Sequence, residues 1–178
     1  MDYYKEMQDL AVVDQEDNII GKMEKWEAHK KGVLHRAYTA ILQYEDSIIL
    51  QHRKHPVFDD VYDLSFSSHQ IYKNDSLQTN EEALYEGLER EWGIEKFEIR
   101  NLKFINKIYY KAKDEKSEFF DHEIDYIYLI EVNTMPKANL DYAYGQKMIQ
   151  KANIISEIKK LQLNLAPWVE KILEMKLF

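Results

Sequence analysis

Short apolar runs separated by polar turns fill the first third of the chain, a pattern that predicts β-strands joined by tight turns. Apolar runs at 9–14 and 19–21 flank the turn-forming Gln15-Glu16-Asp17-Asn18, which predicts a hairpin. Pro56 interrupts the pattern within 53–60 and predicts a loop there. The predicted strands of this region cover 9–14, 19–21, 35–44, 47–52 and 61–66, and the last of them leaves Ser67, Ser68 and His69 at its end.

Helical periodicity is clearest at 79–92. Thr79 and Glu82 have the spacing of a capping box, and Gly93 follows as a stop signal. The segment 23–30 is charged and lacks a clear period, so it is predicted as a link that carries His29. The other predicted elements are long strands at 102–110 and 119–132, a short strand at 140–144, and helices at 154–161 and 167–175.

This order of elements predicts one α+β domain over residues 1–178, with a mixed β-sheet sandwiched between helices (α/β/α). A chain of 178 residues has the usual size of a domain with one core. The hydrophobic content of 45%, with only 5 Gly and 3 Pro, indicates a folded chain rather than a linker or a disordered segment.

Charge and cysteine content narrow the classes of function. The formal net charge of −8 disfavours a nucleic-acid partner, because phosphate backbones bind basic surfaces. The chain has no apolar run that could span a bilayer and no apolar core of a signal peptide near Met1, so we expect no membrane partner and a cytoplasmic location. The absence of cysteine removes disulfides, thiolate ligands and thiol nucleophiles.

Three histidines and two carboxylates form a candidate metal site. His29, His35 and His69 come from three separate segments, and Asp121 and Glu123 lie two positions apart on a predicted strand. The two carboxylates therefore point to the same face of that strand. Imidazole and carboxylate together suit a borderline ion such as Zn²⁺ or Mn²⁺, whereas each residue alone would read as a structural histidine or a solvated acid.

The ordered set of motifs resembles the Nudix superfamily and, within it, the type I isopentenyl-diphosphate isomerases. The resemblance covers nearly the whole chain and implies the Nudix fold and a small-molecule diphosphate substrate. It rests on the segments 12–21, 28–37, 62–69, 91–94 and 166–168.

The resemblance also implies the metals and their ligands. A Zn²⁺ or Mn²⁺ ion is expected on the five residues of the candidate metal site, with Asp121 standing where the family has a glutamate. A second ion, Mg²⁺, is expected between Glu91 and the substrate diphosphate, since Mg²⁺ takes phosphate oxygens readily. Lys25 and Arg53 match basic residues near the diphosphate, whereas a further basic position of the family is Gly87 here.

For the chemistry, the resemblance implies proton transfer on two faces of an alkene. Glu123 with Tyr110 matches one face, and Trp168 matches an aromatic ring that stabilises a cation. On the opposite face the family has a cysteine, and this chain has Ser67. A hydroxyl carries protons far less readily than a thiol, whose pKa is about 8.5.

Two other functions remain open from the sequence. The first is hydrolysis of a nucleoside or prenyl diphosphate, which needs several carboxylates on the helix at 79–92. Only Glu91 matches the expected acids there, although Glu86 or Glu89 would compensate if they faced the site. The second is a catalytically silent descendant that keeps a structural metal or senses a ligand.

Overall fold

The computed structural model describes residues 3–176 and confirms the predicted fold class, a mixed β-sheet with helices on both faces. The elements are β1 (Asp9–Val13), β2 (Ile19–Glu24), α1 (Lys25–Lys31), β3 (His35–Tyr44), β4 (Ser47–Arg53), β5 (Tyr62–Asp63), β6 (Phe66–Ser68), β7 (Tyr72–Lys73), β8 (Ser76–Leu77), α2 (Asn80–Trp92), β9 (Ile99–Lys113), β10 (Phe120–Val132), β11 (Ala143–Gln150), α3 (Ile154–Lys160) and α4 (Pro167–Glu174).

Strand β3 lies at the centre of the sheet and positions the site. It pairs in parallel with β10 from His35 opposite Glu123 to Gln43 opposite Glu131. Its other edge pairs antiparallel with β1, β6 and β4 in turn. The remaining sheet neighbours are antiparallel, so the sheet is mixed as the sequence predicts.

Side chains on the two faces of the sheet enter two separate apolar layers. On one face, residues such as Leu42 pack against α2 through Leu84 and Leu88. On the other face, residues such as Ile41 pack with Ile172 of α4. Because successive strand residues point to opposite faces, Ile41 and Leu42 serve different layers, and the sheet is buried on both sides.

Helix α2 has the predicted bounds because its end signals are local. The Thr79 hydroxyl accepts a hydrogen bond from the Glu82 amide at 3.2 Å, and the Glu82 carboxylate accepts one from the Thr79 amide at 2.8 Å. Gly93 ends the helix in the left-handed conformation with φ of 61°, which glycine adopts without a Cβ penalty.

The prediction of an irregular link at 23–30 is wrong, since most of this segment belongs to α1, which ends at Lys31. The Glu24 carboxylate caps the helix by accepting from the Glu27 amide at 2.9 Å, and Gly32 ends it with φ of 61°. A helix of seven residues shows too few turns for its period to be read from sequence. The correction matters because α1 presents Lys25 and His29 to the site.

The single strand predicted at 61–66 is also wrong, because two short strands, β5 and β6, occupy this region. Ser65 separates them with φ of 81°. Its hydroxyl accepts from the Leu42 amide at 2.7 Å and donates to the Ile49 carbonyl at 2.6 Å. The Ser65 side chain thus makes hydrogen bonds that a strand would make with its backbone. These bonds form only when β3 and β4 lie beside Ser65 in the folded protein.

Smaller differences concern the second half of the chain. The strand predicted at 140–144 begins only at Ala143, because a turn closed by the Tyr142 amide and the Asn139 carbonyl at 2.9 Å precedes it. Strand β9 extends to 99–113, and the hairpin of β7 and β8 was not predicted. Among residues 3–176 no helix is long and apolar enough to cross a membrane.

Candidate active site

Four side chains that suit a divalent metal converge at the beginning of β3. His29 comes from α1, His35 from the first position of β3, His69 from the residue after β6, and Glu123 from β10. Their ligand atoms all lie within 4.8 Å of one another. Since β6 and β10 pair with opposite edges of β3, the sheet brings together residues that are far apart in sequence.

Backbone carbonyls orient two of the imidazoles. His29 Nδ1 lies 2.7 Å from the Lys25 carbonyl, and His35 Nδ1 lies 2.7 Å from the Val33 carbonyl. A carbonyl only accepts, so each Nδ1 carries the hydrogen and donates it. In the neutral rings each Nε2 then has a free lone pair directed at the cluster, as in histidines that bind metals.

Two distances within the cluster match those between ligands of one ion. Glu123 Oε1 is 3.1 Å from His69 Nε2 and 3.4 Å from His35 Nε2. Ligands that each lie about 2.0–2.1 Å from a tetrahedral Zn²⁺ are roughly 3.3–3.5 Å apart. In the described part of the chain His35 Nε2 is buried without a hydrogen-bond partner. The three-nitrogen, one-oxygen set therefore fits an ion such as Zn²⁺ or Mn²⁺.

Burial sets the charge of the cluster. It lowers the pKa of His29 well below its usual value and the pKa of His69 to about 4, so both rings are neutral at pH 7. Burial raises the pKa of the Glu123 carboxyl, yet the His35 and His69 ring nitrogens hold that pKa well below its usual range. Neutral imidazoles beside an ionised carboxylate are the protonation states that metal binding requires.

Asp121, the fifth predicted ligand, lies beside the cluster rather than within the group of four. Its Oδ1 is 3.5 Å from His29 Nε2. Burial and the neighbouring Glu123 charge raise the pKa of Asp121 well above its usual value, because two adjacent buried carboxyls resist ionising together. Ligation by Asp121 stays a prediction.

Tyr110 and Trp168 lie together in the wall of the cavity that borders the cluster. The Tyr110 hydroxyl donates a short hydrogen bond to Glu123 Oε2, and burial together with the Glu123 charge raises the pKa of Tyr110 well above its usual value. The two rings are tilted with centroids 5.9 Å apart. Trp168 is fixed through Nε1, which donates to Asp63 Oδ1 at 2.9 Å.

Ser67 lines the same cavity and belongs to a hydrogen-bonded chain. Its hydroxyl oxygen is 2.8 Å from Thr39 Oγ1, and Thr39 donates to the buried Asp125 Oδ2 at 2.8 Å. The register of β3 with β6 creates this contact by placing Thr39 directly opposite Ser67. The hydroxyl is thus oriented by the sheet rather than free to rotate.

Arg53 and Lys25, the two residues predicted to bind the diphosphate, differ in the groups to which they are already hydrogen-bonded. Arg53 NH1 donates to Asp63 Oδ2 at 3.0 Å, its other nitrogens reach two backbone carbonyls at 3.3 Å, and its guanidinium lies 5.1 Å from the Trp168 ring centroid. Lys25 Nζ donates to Gln8 Oε1 at 3.4 Å and lies 4.9 Å from the Tyr3 and Trp26 ring centroids. Lys25 is therefore held mainly by neutral groups.

Glu91, the predicted Mg²⁺ ligand, lies in the cavity wall with both carboxylate oxygens engaged. Oε1 accepts from Arg90 NH2 at 2.9 Å, and Oε2 accepts from Gln51 Nε2 at 3.1 Å. A cation at Glu91 would share the carboxylate with these donors or replace one of them.

The curated proteins that are similar to this chain include isopentenyl-diphosphate isomerases of several organisms. The isopentenyl-diphosphate Delta-isomerase 1 of Mus musculus is 28% identical over 98% of this chain and 86% of its own length. The isopentenyl-diphosphate delta-isomerase IDI1 of Gibberella zeae is 27% identical over 94% and 73%, and the isomerase of Haloarcula marismortui is 35% identical over 58% and 56%. No family model matches the chain.

Solved structures show the fold. DR0079 from Deinococcus radiodurans matches with a TM-score of 0.67 at 14% identity, over 93% of this chain and 98% of its own. The NUDIX domain of Shewanella oneidensis NrtR, solved with ADP ribose, matches with a TM-score of 0.51 at 14% identity, over 75% and 78%. The chain has the Nudix fold and resembles the isopentenyl-diphosphate isomerases. The Mus musculus and Gibberella zeae proteins that it resembles are named as enzymes, and the resemblance extends over nearly the whole length of this chain.

The two further carboxylates on α2 that would compensate in a hydrolase, Glu86 and Glu89, do not line the cavity of this isomerase-like chain. Glu86 is exposed and pairs with Lys73 at 2.6 Å, and Glu89 is exposed on α2. Glu91 is the acid that α2 contributes to the cavity lining among the described residues. The compensation by Glu86 or Glu89 that the sequence left open is thus not provided.

Sequence reasoning missed Tyr3, Tyr4 and Arg90 in this isomerase-like site. Tyr3 and Tyr4 line the cavity, and the Arg90 guanidinium stacks on Tyr3 with its carbon 3.9 Å from the ring centroid. The cavity that Tyr3 and Tyr4 line has a volume of about 20 Å³, which is room for little more than one water molecule. Nothing in a Tyr-Tyr pair signals a cavity wall, and a helix arginine usually reads as a solvated charge.

Proposed function

We propose that this protein is a metal-dependent isomerase that interconverts isopentenyl diphosphate and dimethylallyl diphosphate. Zn²⁺ or Mn²⁺ is held by His29, His35, His69 and Glu123, with Asp121 close by, and Mg²⁺ is held by Glu91 together with the diphosphate. We propose a cytoplasmic protein that acts on this small molecule rather than on nucleic acid.

One observation carries the proposal: the four ligand atoms lie within 4.8 Å of one another, and His29, His69 and Glu123 line a cavity that Tyr110, Trp168 and Lys25 also line. A metal site alone would fit many functions. Glu123 and Tyr110 suit proton transfer to an alkene, and the Trp168 ring suits a cationic carbon. The buried Lys25 ammonium suits a diphosphate. The likeness to isomerases along nearly the whole chain supports the same substrate.

The isomerisation adds a proton to one carbon of the alkene unit and removes a proton from another, so atoms and charge balance without a redox partner. The Tyr110 phenol carries a proton that it donates to Glu123 Oε2 at one side of the substrate. The Trp168 ring stabilises the cationic carbon between the two transfers. A bound divalent ion would supply positive charge that keeps the Glu123 carboxylate ionised and oriented.

Ser67 is proposed as the proton carrier on the other side, in contact with Thr39. A hydroxyl is a weak acid and a weak base near pH 7, so proton transfer at this position limits the rate. We therefore propose a slow isomerase rather than a silent protein. The exposed positions of Glu86 and Glu89 weigh against the hydrolase alternative.

The test uses the purified chain with isopentenyl diphosphate, Mg²⁺ and Mn²⁺, and measures dimethylallyl diphosphate and released phosphate together. Isomer without phosphate supports the proposal. Phosphate release identifies a hydrolase, and absence of both products from metal-loaded protein rejects turnover of this substrate. A Glu123→Gln variant is the matched control, since it removes the ionised carboxylate while keeping the size of the side chain.

A further inference from the structure

The Tyr3 ring lines the cavity and lies close to two cations. Arg90 stacks on the ring with its guanidinium carbon 3.9 Å from the centroid, and Lys25 Nζ is 4.9 Å from the same centroid. The Tyr3 hydroxyl reaches Ser68 Oγ at 3.3 Å. Tyr3 and Lys25 both line the cavity, and the Tyr3 ring stacks on the Arg90 guanidinium, which is not part of the lining.

These cations are only partly neutralised. Arg90 NH2 donates to Glu91 Oε1 at 2.9 Å and to Ser68 Oγ at 3.3 Å, and its buried Nε has no hydrogen-bond partner within the described residues 3–176. Burial lowers the pKa of Lys25, opposed by Tyr3 and assisted by the Arg90 charge. Two like charges kept near each other, with unused hydrogen-bond capacity, are stabilised by an anion placed between them.

The environment of the Tyr3 hydroxyl shows where negative charge is favoured. Burial opposes ionisation of this phenol, yet Lys25, Arg90 and the Ser68 hydroxyl hold its pKa below the usual value. The phenol oxygen thus occupies a position with positive potential and a neighbouring hydroxyl. An anionic oxygen in that position would lie within hydrogen-bond distance of Ser68 Oγ and would be attracted by the charges of Lys25 and Arg90.

The size of the cavity requires that a wall move before a diphosphate binds, because about 20 Å³ holds little more than one water molecule. Tyr3 belongs to a single 3-10 turn, Tyr3–Lys5, with no buried residue. Gln8 Nε2 and the Glu6 amide donate to its carbonyl at a long 3.4 Å. Most of the other lining residues belong to strands and helices of the core. The turn is also held by Trp26 Nε1, which donates to the Tyr4 carbonyl at 3.0 Å, but a single turn moves at a lower cost than those elements.

A space already exists beyond this wall. A second cavity of about 500 Å³ shares Tyr4 and His55 with the inner one, and the two rings contact each other with centroids 4.7 Å apart. Displacement of the turn would join the two cavities. The inner site would then be open from the outer side.

We propose that Arg90 is a diphosphate-binding residue that the Tyr3 ring covers in this structure, and that the diphosphate displaces this ring to contact Arg90 and Lys25 together. The inference rests on the proposed function in taking a diphosphate as the ligand. It adds a binding residue and identifies Tyr3 as a competitor of the substrate. Binding therefore includes the loss of the Tyr3 contacts.

The test measures binding of inorganic diphosphate to the Mn²⁺-loaded protein by isothermal titration calorimetry. Arg90→Gln should weaken binding about 10-fold to 100-fold, the usual effect of losing a hydrogen bond to a charged group. Tyr3→Ala should tighten binding, and this gain should disappear in the Tyr3→Ala, Arg90→Gln double variant. Unchanged affinity in Arg90→Gln, or an equal Tyr3→Ala gain in both backgrounds, would overturn the proposal.

Two conservative variants separate binding from structure. Arg90→Lys keeps the charge and should retain most of the affinity that Arg90→Gln loses, whereas an equal loss in both would mean that Arg90 acts only through packing. Tyr3→Phe keeps the covering ring and should bind like the unmodified protein. Since inorganic diphosphate cannot isomerise, Arg90-dependent binding without isomerase activity would reject only the proposed function, and isomerase activity with Arg90-independent binding would reject only this inference.

Discussion

Glu123 Oε1 lies 3.1 Å from His69 Nε2, although the two residues come from strands that pair with opposite edges of β3. The contact is possible because His69 lies just beyond β6 and Glu123 lies near the beginning of β10. His35 begins the strand between them and completes the geometry. The candidate metal site therefore depends on the position of β3 between β6 and β10. Substitution of these residues should affect metal binding, whereas substitution of histidines elsewhere should not.

We expect His69→Ala to weaken binding of the proposed metal. The neutral ring is one of the four proposed ligands, and loss of a ligand should lower metal affinity by at least about 10-fold. Elemental analysis of purified protein after dialysis against Zn²⁺ or Mn²⁺ measures the effect. His52→Ala is the control, since His52 stacks on Tyr62 outside the cluster. Equal metal content in both variants would reject the site.

Asp121→Glu should strengthen metal retention. Asp121 Oδ1 is 3.5 Å from His29 Nε2 but is outside the group of four ligand atoms, and one added methylene brings the carboxylate closer to them. We expect the rate of metal loss to a chelator to fall about 10-fold, the scale on which metal-site neighbours act. A faster loss would mean that the longer side chain disturbs the cluster instead.

Ser67→Cys should increase isomerase activity. Cysteine keeps the position beside Thr39 and introduces a group with a pKa of about 8.5, so it exchanges protons near neutral pH. General acid–base catalysis of this kind is worth about 100-fold or more in rate. The rate of dimethylallyl diphosphate formation is the measurement, with Ser47→Cys at the far end of β4 as control. No gain with intact metal content would show that the thiol is not what limits the chain.

Gly87→Ala should destabilise the fold. A Cβ at this position would lie 2.5 Å from Phe66 Cε2 and 2.6 Å from the Tyr38 hydroxyl, both in the core. Such overpacking costs about 1–3 kcal/mol, which urea unfolding at pH 7 can measure. Gly145→Ala is the matched control, because no heavy atom lies within 4 Å of its added Cβ. Equal midpoints would show that Phe66 and Tyr38 can move aside.

Asp17→Asn should destabilise the protein at neutral pH but not in acid. Burial raises the pKa of Asp17, yet hydrogen bonds from Lys107, Tyr126 and Arg36 outweigh burial and lower it. A depressed folded-state pKa stabilises the protein above the unfolded value of about 3.9, and this stability is lost as the pH falls through the folded value.

Urea unfolding between pH 7 and pH 3 checks this prediction. The variant should lose about 1–3 kcal/mol at pH 7, and the difference should shrink below pH 4. Asparagine tolerates the φ of 68° at this position, so backbone strain does not confound the comparison. Asp75→Asn, in an exposed pair with Lys22, should leave the midpoint unchanged. A pH-independent loss for Asp17→Asn would assign the effect to packing.

Helix α2 and strand β3 could be predicted from the sequence because the signals that define them are local. The capping box at Thr79 and the stop at Gly93 define α2, and the apolar run at 35–44 defines β3, because these depend on neighbouring residues. The ordered histidines and acids likewise indicated a metal site before any geometry was known. Of that set, His29, His35, His69 and Glu123 meet in the structure.

Tertiary structure decided what depends on residues distant in sequence. Helix α1 was missed because it is short, and the break at Ser65 needs hydrogen bonds to β3 and β4. Whether Asp121 joins the cluster, and whether Glu91 is free or shared with Arg90 and Gln51, follows from side-chain positions that no spacing encodes. The Tyr3 ring covers Arg90 because folding brings the turn at Tyr3–Lys5 onto α2, and a linear pattern carries no information about such a contact.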